Sequence, residues 1–126
     1  MIIIATLIVT LAAVLHVGIF VMESIGWTRR AVWHRFGVPN QAAAETTKPL
    51  AYNQGFYNLF LAIGAFVGIV FFGIGWRDPG LALVVFTMGS MVAAAVVLVT
   101  TGAGYVRAAL IQGILPLAGL VLILLA

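Results

Sequence analysis

His16 and Glu23 are the two residues of the N-terminal apolar segment whose side chains can exchange protons. They stand seven positions apart. On a helix that spacing puts them on one face, about two turns or roughly 10 Å from each other, with Phe20 between them. An imidazole and a carboxylate so arranged can act as general acid and base. They can equally hold a polar ligand, or bond to neighbouring helices and do no chemistry.

The surroundings make the pair costly. No other charged residue occurs from Ile2 to Met22. Hydrophobic types make up 64% of the 126 residues and charged types 7%, against roughly 25% charged in an ordinary soluble domain. So few charges cannot cover a water-facing surface, so lipid must be the solvent for most of the outside. A charged group at the centre of a membrane span costs about 2.5 to 3.5 kcal/mol, and such residues usually face the bundle interior.

The elements that must position them follow from length. About 20 apolar residues cross a hydrocarbon core of about 30 Å. Four stretches meet this, and the sequence predicts an all-α bundle of four transmembrane helices in one domain over 1–126, with spans at about 2–25, 50–75, 80–102 and 108–126. None alternates as a membrane strand would, and helices satisfy their own backbone in lipid. The first span lacks the basic start and small-residue cleavage site of a secretory signal, so it reads as retained.

The basic residues indicate orientation. Arg29, Arg30, Arg35, Lys48 and Arg107 fall in the first and third connections, and Arg77 alone falls in the second. The positive-inside bias then predicts a multi-pass protein of the cell membrane with both termini on the extracytoplasmic side. The net charge of +3 reads as topology, not as a nucleic-acid footprint. Trp27, Trp33 and Trp76 fall at span ends, as an aromatic belt would. Arg29 to Phe36 reads either as a short interfacial helix with Trp33 and Phe36 dipping into lipid or as an irregular loop.

Small residues mark faces where helices approach closely in lipid. Gly64 and Gly68 share a face with Phe60, Tyr57 and Asn53. Ser90, Ala94, Val97, Thr101 and Tyr105 make a similar face in the third span, and Gln112, Pro116 and Gly119 one in the fourth. The polar candidates crowd one half of the bundle. They are Asn53, Gln54, Tyr57 and Asn58 in the second span, Tyr105 and Arg107 near the third connection, and Gln112 in the fourth. With His16 and Glu23 they predict a polar cleft entered from the cytoplasm and ending near His16.

Three readings stay open for that cleft. It binds or transports a small or lipid-like ligand, which is the working hypothesis. It is an acid–base site of isomerase or epimerase type using His16 and Glu23. Or it only fixes helix register, with Glu23 paired to Arg107 or an arginine of the first connection. There is no cysteine, no HExxH and no phosphate-cradling glycine loop, so neither a metal nor a cofactor is expected. The expected partners are membrane lipids, a small ligand and, since thin four-span bundles often associate, further copies of the chain.

The segments His16-Val-Gly-Ile-Phe-Val-Met-Glu23, Trp27, Asn53-Gln-Gly-Phe-Tyr-Asn58 and Gln112-Gly with Pro116 resemble the DUF1304 family of small bacterial membrane proteins. The resemblance covers nearly the whole chain. It implies a four-span layout and a site at His16, Glu23, Asn53, Gln54, Tyr57, Asn58 and Gln112, but no activity. The stretch Asn40 to Thr47 is longer and more polar than the resemblance leads one to expect.

Overall fold

The computed structural model describes residues 1–126. Helix α1 runs Ile2–Phe20 and continues into a π-helical turn, Val21–Ile25. A short helix, α2 (Arg30–Arg35), precedes α3 (Gln41–Gly73), α4 (Arg77–Thr100), a 3-10 turn at Ala103–Tyr105 and α5 (Val106–Leu125). There is no strand. Four of these helical stretches are long and apolar enough to cross a membrane, and the chain is a multi-pass membrane protein.

The four long helices form an up-down bundle. α1 packs on α3 and α5, α4 packs on α3 and α5, and α1 and α4 lie on the diagonal. The core is made mostly of small side chains: Ala5, Ala12 and Ala13 of α1 and Ala62 and Ala65 of α3 are fully buried. Met88 and Met91 of α4 are fully buried as well. Their flexible thioethers fill the irregular gaps such a core leaves. Small residues allow backbones in lipid to approach, where further apolar burial gains little.

α3 is the main departure from the expected spans. It has 33 residues, about 50 Å at 1.5 Å per residue, well beyond a core of about 30 Å. It begins at Gln41, not near residue 50, and runs through Pro49. Asn40 supplies the start: its side-chain oxygen accepts from the Ala43 N–H at 2.8 Å, a standard N-cap. The polar stretch Asn40 to Thr47 is therefore the first turns of a helix that protrudes from the bundle.

α2 folds onto that protrusion. Trp33 is buried, and its indole N–H donates to Gln41 Oε1 at 2.8 Å. Gln41 in turn donates to the Thr28 carbonyl at 2.9 Å. The short helix is thus present, but Trp33 is covered by protein and does not dip into lipid. Its indole finds a polar partner in Gln41 and an apolar seat within the protein.

Two expected faces also change. Gly64 and Gly68 do point inward: a Cβ on them would meet Thr87 at 2.7 Å and Val84 at 2.9 Å. Phe60, Tyr57 and Asn53, further along the same stripe, are exposed, because the close approach to α4 is confined to the half of α3 nearer their shared turn. On α4 the expected face is wrong. Ala94, Val97, Thr101 and Tyr105 are exposed, and the buried face is Gly80, Val84, Thr87, Met88, Met91 and Ala95. Apolar residues surround this helix on every side, so the sequence carries little contrast between faces. On α5, Pro116 and Gly119 are buried as expected and Gln112 is half-buried.

Candidate functional site

The end of α1 is where polar side chains gather. The helix loosens there into the π-turn, closed by a hydrogen bond of 2.9 Å from the Gly26 N–H to the Val21 carbonyl. Single π-turns are frequent at functional sites, because the extra residue re-aims the side chains beside it. Glu23 and Ser24 lie on it, and both turn toward α3.

Glu23 Oε2 accepts a hydrogen bond from Asn58 Nδ2 at 2.8 Å. Ser24 Oγ donates to the Tyr52 carbonyl at 2.8 Å. Between them Gly55 lets the two helices touch. A Cβ on Gly55 would collide with Ser24 Oγ and lie 3.1 Å from Glu23 Cβ. It is Asn58, not Arg107 or an arginine of the first connection, that meets Glu23.

Beside this contact is an open concavity of about 260 Å³, lined by Glu23, Trp27, Thr47, Leu50, Ala51 and Gln54. The Trp27 indole N–H donates to Thr47 Oγ1 at 3.1 Å, and its ring packs against Phe36 with centroids 5.1 Å apart. That fixes the rim. A span of about 20 residues ending at Gly73 would begin at Gln54, which would put the concavity where hydrocarbon gives way to headgroups. Glu23 Oε1 has no side-chain partner, so the carboxylate can still accept from a ligand.

His16 is elsewhere. Its ring is 2% exposed, and Nδ1 lies 2.9 Å from the Ala12 carbonyl. A carbonyl only accepts, so Nδ1 carries the hydrogen, and Nε2 makes no hydrogen bond to the protein. His16 does not line the concavity. Gln112 lies at its depth: α1 and α5 run antiparallel and meet at Val9 and Gly119, and His16 and Gln112 are each seven residues from that contact, in the same direction across the bundle.

The single cleft expected from the sequence is therefore not formed. Glu23, Gln54 and Asn58 come together. Asn53 and Tyr57 are exposed on α3, and Tyr105 and Arg107 are exposed at the α4–α5 turn. The common cause is that α3 and α5 each touch α1 along one stripe only, while polar residues occur on several. Ser24, Thr47, Leu50, Ala51 and the close approach at Gly55 escaped the sequence reading. Asn40 ahead of Gln-Ala-Ala-Ala was the available signal for Thr47. An N-cap before strong helix formers extends α3 to that residue.

Fold and site together define a four-helix membrane protein with a carboxylate held between two of its helices. A family model described as protein of unknown function (DUF1304) matches residues 10–124, and the chain belongs to that family. Neither a curated protein nor a solved structure matches it.

Proposed function

We propose that this protein binds a small amphipathic ligand in the concavity beside Glu23. The ligand's polar group carries a hydrogen-bond donor or a positive charge and meets the Glu23 carboxylate. Its apolar part lies against Trp27, Leu50 and Ala51. The observation that carries this reading is the half-buried carboxylate itself. It is bonded on one oxygen by Asn58, free on the other, and open to an amphipathic depth of the bilayer. Its second oxygen is available to a hydrogen-bond donor or a cation on an incoming ligand.

The location that fits is the cell membrane, with the Glu23 end in the cytoplasm and both termini outside. The basic residues Arg29, Arg30, Arg35, Lys48 and Arg107 cluster at that end, which the positive-inside bias favours.

A second reading has its own support. The Glu23–Asn58 and Ser24–Tyr52 bonds tie α1 to α3, and a register lock needs nothing more. Native mass spectrometry of the protein released from membrane nanodiscs separates the two. Ligand binding predicts a discrete small-molecule adduct on the wild type that Glu23→Gln loses while remaining folded. A wild type free of any adduct, with Glu23→Gln only less stable, would leave the register lock. The acid–base reading has less support, since His16 does not line the concavity beside Glu23.

A further inference from the structure

The opposite side of the bundle carries an apolar groove with no polar lining to speak of. It runs between α4 and α5, holds about 180 Å³, and its walls include Val96, Val99, Leu110 and Ile114. Gly113 forms part of its floor, where a Cβ would lie 2.8 Å from that of Ala95. The two helices touch at their small residues, and the larger side chains on either side stand apart.

The charge around this groove is one-sided. Arg107, Leu110, Ile114 and Leu117 follow one another at spacings of three, four and three, a single helical stripe. Arg107 is exposed and lies one turn beyond Leu110, toward the end of the bundle. α5 has no acidic residue in its first turn and no side-chain cap. A cation at that end opposes the helix dipole, and α5 contains no acidic residue to offset it.

From the groove and this exposed charge we infer that the α4–α5 face is a binding site for an anionic membrane phospholipid. One acyl chain lies in the groove and the phosphate pairs with Arg107. The groove's size suits a chain segment. At about 30 Å³ for a group the size of a water, it takes roughly six methylenes, whereas a second helix is about 10 Å across. Arginine's long stem lets its head reach the phosphate level while its base stays beside the acyl chain. The site is separate from the Glu23 concavity, which α1 and α3 form.

The test uses the full chain in nanodiscs that contain a phospholipid with a photoreactive group in its acyl chain. One set carries the phosphatidylglycerol form and the other the phosphatidylcholine form. Crosslinks from the anionic form should concentrate on Val96, Val99, Leu110 and Ile114, about fivefold above the zwitterionic form, the effect of one basic residue near the surface. Arg107→Gln should remove that excess and lower the zwitterionic yield less than the anionic one. Arg77→Gln, at the other end of the bundle, should change nothing. Crosslinks spread evenly over all exposed helix faces, or an excess that survives Arg107→Gln, would overturn the assignment. Arg107 and Arg77 are both exposed, so neither change threatens folding.

Discussion

Asn58 and Glu23, thirty-five residues apart in the chain, meet at 2.8 Å through amide nitrogen and carboxylate oxygen. The bond spans two helices that also meet here at Gly55 and through the edge-to-face rings of Phe20 and Phe56, with centroids 5.1 Å apart, and it involves the π-turn that swings Glu23 off the regular helical path. Hydrogen bonds between membrane helices contribute modestly, because the unfolded chain in the bilayer finds other partners. The double-mutant cycle of Glu23→Gln and Asn58→Ala, followed by thermal unfolding in detergent, should therefore give a coupling of about 1 kcal/mol. Additive effects would mean that the two side chains do not interact in the folded protein.

Gly55 sets how close α1 and α3 can come. A methyl group there meets Ser24 Oγ and also the Ser24 backbone nitrogen at 3.0 Å, so rotating the serine hydroxyl away does not make room. Gly55→Ala should destabilise the bundle by about 1 to 3 kcal/mol, the usual cost of overpacking. Gly18→Ala is the control. Nothing lies within 4 Å of a Cβ at that position, and alanine there should stabilise the helix by up to about 1 kcal/mol. Equal melting shifts for the two variants would refute the close contact at Gly55.

Much of this fold was legible from residue types alone. Long uncharged stretches fix the number of spans, because lipid leaves the backbone no alternative to a helix. Inward faces were harder. Soluble helices advertise theirs by contrast between apolar and polar sides, and α4, with Phe86, Val96 and Val97 exposed and Met88 and Met91 buried, has no such contrast. The candidate site was half legible for a related reason. The cost of burying Glu23 and His16 identified both, but burial cost does not say which partner a group takes. Glu23 reached an amide on α3, whereas His16 satisfied one nitrogen within its own helix at Ala12.

The cap outside the membrane rests on one tryptophan. Trp33 is 8% exposed and links α2 to the start of α3 through Gln41. Replacing a buried aromatic with alanine typically costs 3 to 5 kcal/mol, more than a six-residue helix can lose. Trp33→Ala should detach α2 and open Arg29, Arg30 and Arg35 to trypsin, while hydrogen exchange within α4 and α5 stays at its wild-type rate. Local opening of this kind spares elements whose contacts lie elsewhere. Unchanged cleavage at the three arginines would mean that α2 is held by something other than this indole.

The separation of His16 from the concavity yields the sharpest contrast between the ligand-binding and acid–base readings. His16 is 2% exposed and bonded to the Ala12 carbonyl within its own helix, while Glu23 lies about two turns away on an open surface. The imidazole is not part of the surface that a substrate seated against Trp27 and Leu50 would touch. His16→Gln keeps a polar side chain of similar length and avoids the cavity that alanine would leave. That variant should hold the adduct seen on the wild type by native mass spectrometry, with Glu23→Gln as the variant that loses it. If His16→Gln stays folded by thermal unfolding yet releases the adduct as completely as Glu23→Gln does, the two groups serve one site after all. The bundle would then have to open between them during binding.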